Sequence, residues 1–182
     1  FPTATPILTP TRRPTPTGDA SSYYKKGNDY YYDGKYQLAI NELNTVIRLN
    51  PLHIDAYVTR SVAHANLGQY QLALQDAEWV IILVPGNAMA HNNRGYYRAG
   101  LGDYELAIQN YDKSIQLDPN SAMAYTNRAV AHYNLGQYQL AIDDYDKVIQ
   151  LDPNSAMAYN SRGKSYVNLG EYQTAIDDFT KA

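Results

Sequence analysis

Residues 122–155 read AMAYTNRAVAHYNLGQYQLAIDDYDKVIQLDPNS. Tyr125, Ala129, Ala131 and His132 fall at helical spacing. Gly136 ends that helix, because a residue without Cβ can take the left-handed conformation that closes a helical turn. Tyr138, Ala141, Ile142, Tyr145, Val148, Ile149 and Leu151 then mark a second helix. Pro153 stops it by disfavouring helix at Asp152. The stretch is therefore predicted to be helix, tight turn, helix, tight turn.

Outward from this stretch the same unit recurs at a step of 34 residues. Tyr36, Tyr70, Tyr104, Tyr138 and Tyr172 keep the step, as do Gly34, Gly68, Gly102, Gly136 and Gly170. So do Ala39, Ala73, Ala107, Ala141 and Ala175, and the prolines Pro51, Pro85, Pro119 and Pro153. The units are 20–53, 54–87, 88–121, 122–155 and a partial 156–182. One two-helix unit cannot bury its own apolar face, but stacked units share a continuous core, so an all-α solenoid is predicted. The alanine column belongs where two helices cross at about 8–10 Å, and enlarging Ala141 to Leu should cost roughly 1–3 kcal/mol.

Composition agrees with a thin, surface-rich body. Tyr occurs 19 times against Phe 2 and Trp 1, and tyrosine suits half-buried sites where its hydroxyl finds a partner. The net charge is −3 and the 15 Lys and Arg form no block, so no footprint for nucleic acid is present. No apolar run approaches the roughly 18 residues of a membrane span. With no cysteine, disulfides and thiolate metal sites are excluded.

The period resembles that of the tetratricopeptide repeat family over residues 20–182, as do the Tyr, Ala and Pro columns and the small residues Gly27, Ser61, Gly95, Ala129 and Gly163. The resemblance implies a right-handed superhelix of helical hairpins. Its first helices would line a concave groove that holds extended or helical peptides. Two departures stand out. Lys26, Arg60, Arg94, Arg128 and Arg162 occupy a column usually filled by Leu, and His64, Arg98 and His132 stand where an aromatic is usual. The stem of Arg98 is expected to pack while its head reaches solvent.

Carried onto this sequence, the groove positions are Tyr24, Asn28, Tyr31, Val58, Thr59, Asn92, Asn93, Tyr96, Thr126, Asn127, Val130, Tyr133, Asn160 and Lys164. That surface is almost neutral and rich in Asn and Tyr. Asn both donates and accepts, so it can pair with a peptide backbone whatever the side chains, and Tyr faces suit proline rings. Family members that clamp a terminal carboxylate carry a basic set where this chain has Tyr24, Thr59 and Met89, so that activity is not expected.

No phosphate-cradling loop, nucleophile elbow or metal-ligand spacing occurs, so no enzyme chemistry, cofactor or metal is expected. His53, His64, His91 and His132 read as packed or edge histidines, and Trp79 as a packing or surface aromatic. The pairs Asp143–Asp144 and Asp177–Asp178 read as solvated faces.

Residues 1–19, FPTATPILTPTRRPTPTGD, form a separate Pro/Thr-rich tail that favours extended geometry. O-glycans on its threonines and an extracytoplasmic location, with the cytoplasm as the alternative, are the expectations. The first residue is Phe1, so a processed chain or a fragment is expected.

Two functions follow. The first is a non-enzymatic scaffold that holds a protein or peptide in its groove. The second is a self-assembling filament or oligomer subunit. In the second, Phe1, Ile7 and Leu8 anchor the tail in a neighbouring copy, and an uncapped end face carrying Tyr166, Ala175 and Phe179 stays open.

Overall fold

The structure, a computed structural model, describes residues 18–182. The tail anchors Phe1, Ile7 and Leu8 lie outside the described residues. Ten α-helices follow one another, with no strand among the described residues: α1 Ala20–Tyr32, α2 Tyr36–Leu49, α3 Ile54–Asn66, α4 Tyr70–Leu83, α5 Ala88–Gly100, α6 Tyr104–Leu117, α7 Ala122–Asn134, α8 Tyr138–Leu151, α9 Ala156–Leu169 and α10 Tyr172–Lys181. Each helix packs chiefly on its chain neighbours, and α1 also meets α3 as α5 meets α7. The result is a stack of hairpins in sequence order.

Local chemistry sets the ends of each hairpin. The odd-numbered helices open on a side chain that accepts the amide three residues on: Asp19, His53, Asn87, Ser121 and Ser155. In the turn after α7, Gly136 sits at φ +73°. Its amide donates to Tyr133 O at 3.0 Å, and the Gln137 amide donates to His132 O at 2.9 Å. This pair of bonds satisfies carbonyls that the helix end would otherwise leave unpaired. His64 and His132 brace the same turns through Nδ1 contacts to Gln69 at 2.7 Å and Gln137 at 2.6 Å.

The core is built from the small-residue columns. Ala39, Ala73, Ala107, Ala141 and Ala175 are all buried at the helix crossings. This corrects the placing of Ala175 on an open end face: its column faces inward within the hairpin. Of the other two residues assigned there, Phe179 packs its ring on Gly163 and Tyr166 lies half-buried beside Arg162. At Gly95 a Cβ would come within 2.6 Å of the buried Tyr111 ring, so only the bare backbone fits.

The arginine column explains why leucine is dispensable there. Arg128 Nε and Nη2 donate to the two oxygens of Asp144 at 2.9 and 2.6 Å, and Nη1 donates to Asp112 at 2.5 Å on the preceding hairpin. Arg162 repeats this with Asp178 at 2.8 and 2.6 Å and with Asp146 at 2.5 Å. Arg60 forks onto Asp76 at 2.9 and 2.5 Å and reaches Asn44 at 2.5 Å. Each guanidinium also lies over a tyrosine of its own helix: Tyr57 at 5.4 Å, Tyr125 at 5.6 Å and Tyr159 at 5.5 Å. Asp76, Asp144 and Asp178 are buried. Asp144 and Asp178 are therefore not solvated, because a bidentate cation replaces their water. The hydrogen bonds to these carboxylates push the Arg128 and Arg162 pKa values up, against the opposing effect of burial. In the first hairpin, Lys26 pairs with Glu42 at 2.6 Å. The head of Arg98 lies 3.6 Å from Asp103 and 3.9 Å from Glu78.

The hairpin α5–α6 departs twice. Arg94 meets the neutral Asn110 through Nε, and His91 stands where the other arginines have their tyrosine. Burial lowers the Arg94 pKa. His91 is buried, its Nε2 lies 3.0 Å from Pro85 O, and its Nδ1 has no partner. Burial, opposed by the Pro85 bond, lowers its pKa, and Arg94 and Lys113 add to the lowering.

Three outcomes follow for stability. Arg128→Leu leaves Asp144 buried without its cation and should lower stability by about 3–5 kcal/mol, while the double change Arg128→Leu with Asp144→Leu should recover most of it. Equal losses in urea titrations of the two variants would refute the pairing. Asn110→Asp gives Arg94 its missing carboxylate and should raise the melting midpoint by about 2–4 °C for roughly 1 kcal/mol; a fall in calorimetry would contradict this. His91 is favoured neutral in the fold, so its contribution is complete above the unfolded pKa of about 6.5 and is lost as pH falls below it toward the lowered folded value. The melting midpoint should thus drop between about pH 7 and about pH 5, and drop less in His91→Tyr.

Candidate functional site

The odd-numbered helices put one stripe of each onto a common concave side. On α5 the stripe is Met89, Asn93, Tyr96 and Gly100, at the spacing of successive helical turns. Between α3, α5 and α7 the surface sinks into a cavity of about 320 Å³. Val62, Ala65 and Asn66 come from α3, Asn92, Asn93, Tyr96 and Tyr97 from α5, and Met123 and Asn127 from α7. A second cavity of about 220 Å³ shares Tyr96 and Asn127 with the first and adds Tyr70, Gly100, Tyr104, Val130 and Asn134 among its walls. A third of about 140 Å³ takes up Val130 again with Tyr133, Tyr145, Ser161 and Lys164. The shared walls make one groove from α3 to α9.

Its floor is held by buried polar pairs. Tyr97 is fully buried, and its hydroxyl lies 2.9 Å from Ser61 Oγ, which itself donates to Val58 O at 2.7 Å. The tyrosine hydroxyl is therefore the donor to Ser61. Burial pushes its pKa up to about 12, so the hydroxyl stays protonated at neutral pH. Asn92 is also buried, and its carboxamide oxygen accepts from Asn127 Nδ2 at 3.0 Å across to the next hairpin. One hairpin further on, Asn168 Nδ2 donates to Tyr133 Oη at 2.9 Å and to Lys164 O at 2.9 Å. These links, between residues 35 positions apart, tie each first helix to the next.

The structure brings together Asn92, Asn93, Tyr96, Asn127, Val130, Tyr133 and Lys164 from the sequence-derived set. Asn92 is floor and not surface, because Asn127 covers its oxygen. Asn160 lies farther along, in a depression beside Met157 and Phe179. Tyr24, Asn28, Tyr31, Val58, Thr59 and Thr126 are half-buried and line none of these cavities. Tyr24 packs at a tilt against His53 with centroids 4.6 Å apart, and Tyr31 meets Tyr36 at 5.9 Å. The walls that sequence reasoning missed include Val62, Ala65, Asn66, Tyr97, Met123 and Asn134. Two column signals were available, since Met89, Met123 and Met157 keep the 34-residue step, as do Asn66, Asn134 and Asn168.

The walls offer amides, hydroxyls, a thioether and aliphatic groups. Lys164, at the α9 end, is the one Lys, Arg, Asp, Glu or His among the residues lining these three cavities. No group of three or more His, Asp or Glu fit to hold a metal occurs among the described residues, and no described helix is long and apolar enough to cross a membrane.

Solved structures share the fold of the chain. MamA 41-end from Desulfovibrio magneticus RS-1 superposes with TM-score 0.82 at 26% identity, over 91% of this chain and 94% of that one. A crystal structure of MamA protein gives TM-score 0.79 at 22% identity, over 89% and 88%. YrrB, described as a TPR protein with an unusual peptide-binding site, gives TM-score 0.71 at 19% identity, over 90% and 84%, a likeness of fold. No curated protein matches the sequence significantly. Four family models described as tetratricopeptide or TPR repeats match residues 24–78, 101–136, 122–155 and 144–177. With ten consecutive helices in hairpin order, the chain belongs to the tetratricopeptide repeat family, whose members are generally non-catalytic scaffolds for protein interaction.

Proposed function

We propose that this chain is a non-enzymatic scaffold that holds an extended peptide segment of a partner protein in its concave groove. The observation that carries the reading is the continuity of that groove. Three cavities joined by Tyr96, Asn127 and Val130 run across successive hairpins, and a peptide, unlike a small molecule, is long enough to contact all of them. Amide groups along the walls suit a peptide backbone, and exposed Met89, Tyr96, Met123 and Val130 supply apolar contact. The fold is also one on which YrrB carries a peptide-binding site.

Most of the binding energy should come from the stretch between α5 and α7. Each backbone bond to an asparagine contributes about 0.5–1.5 kcal/mol, so Asn93→Ala together with Tyr96→Ala should weaken a bound peptide by roughly tenfold or more. The convex change Lys113→Ala with Lys147→Ala should leave affinity unaltered. Peptides selected on the full chain from a displayed random library, with dissociation constants measured by fluorescence anisotropy, make the comparison. Equal loss in the two double variants, or none in either, would reject the groove.

A further inference from the structure

The lining of the cavity between α3, α5 and α7 narrows what the groove can hold, on the premise that the groove is a peptide site. We infer that its ligand is an internal, uncharged stretch of polypeptide that seats one aromatic or branched aliphatic side chain in this cavity and offers free backbone N–H groups on either side of it.

Charge is the first constraint. The cavity walls carry no Lys, Arg, Asp, Glu or His. A charged ligand side chain placed there would lose water and gain no counter-charge, which is strongly unfavourable. A terminal carboxylate meets the same obstacle, because the groove's one lysine, Lys164, lies at the far α9 end. The residue seated in this cavity is therefore internal to its chain.

Shape is the second constraint. Val62, Ala65 and Met123 surround the Tyr97 floor, and about 320 Å³ is room for one large side chain. Met123 is half-exposed, and a thioether on a flexible stem adapts to either a ring or a branched chain. Both classes of anchor are thus admitted.

Hydrogen bonding is the third constraint. Asn127 uses Nδ2 on Asn92, and Asn66 uses Nδ2 on Val62 O at 2.9 Å. Each keeps its carboxamide oxygen as an acceptor besides its second Nδ2 hydrogen, and these two oxygens belong to opposite walls, one from α3 and one from α7. A ligand that satisfies them brings donors, and an extended backbone supplies one N–H per residue unless that residue is proline. Proline is therefore disfavoured next to the anchor, although it can lie on the tyrosine faces of the second cavity.

The test uses a displayed library of random sixteen-residue peptides selected on the full chain. Enriched sequences should share one Phe, Tyr, Leu or Ile flanked by uncharged, non-proline residues. Their affinity should change by less than about twofold between roughly 50 and 500 mM salt, since no ion pair forms. Met123→Trp, which fills the cavity from a half-exposed position, should weaken them about tenfold or more. Met123→Ala should shift the preferred anchor toward Trp, and N-methylation of the amides flanking the anchor should abolish binding. Circular dichroism of both variants checks that each keeps its helical content. Enrichment of peptides with conserved Asp, Glu, Lys or Arg, salt-sensitive yet still lost in the Asn93→Ala, Tyr96→Ala variant, would overturn this ligand chemistry and leave the groove reading standing. Failure to enrich any peptide that depends on Asn93 and Tyr96 would bring down both.

Discussion

The fork of an arginine onto a buried aspartate, repeated up the stack, is the interaction on which the rest of the molecule depends. Each of Arg60, Arg128 and Arg162 is held on one side by its own hairpin and on the other by the hairpin before it. The pair therefore both closes a hairpin and fixes its angle to its neighbour. An apolar contact is non-directional and tolerates sliding. Two parallel N–H···O bonds do not, because the guanidinium and carboxylate must be coplanar and in register. The aspartates would be costly inside the stack without their cations. The ladder thus trades part of the stability of a leucine core for a set orientation.

That orientation is what makes a groove. The concave side is a product of how successive hairpins are turned relative to one another, and no single helix contains it. The inter-hairpin bonds Asn127 to Asn92 and Asn168 to Tyr133 mark the same spacing on the concave face that the arginines mark between hairpins. The ladder is weakest in α5–α6, where Arg94 has an amide in place of a carboxylate and His91 in place of a tyrosine. The same hairpin contributes four of the nine walls of the central cavity. Local consistency is thus relaxed in the hairpin that supplies the largest share of that cavity's walls.

Much of this was legible in the residues. The helix boundaries followed from glycine and proline columns because their effects act on the backbone of a residue or two. The buried alanines followed from period and size. Asn93, Tyr96, Asn127 and Val130 were found by carrying the groove positions of the resembled family onto this sequence, which works because the repeat register fixes which positions of each first helix share a face. Asp144 was not found as a core residue. Next to Asp143 it looks like half of a solvated pair, and nothing in the two letters shows that one points at Arg128, 16 positions back, while the other points at water. Ala175 was misplaced for a related reason, since its burial comes from the facing helix. Met123 escaped because it joins a cavity whose other walls lie on two other hairpins.

The sequence by itself determined the repeat, the helical hairpin and its turns, and the apolar column that forces hairpins to stack, since each rests on periodicity and short-range sterics. Only the tertiary structure decided which carboxylates are buried, which asparagines are floor and which are surface, and where the cavities join into one groove. Those outcomes depend on the distance and angle between helices about one repeat apart, set jointly by side chains from three or more helices.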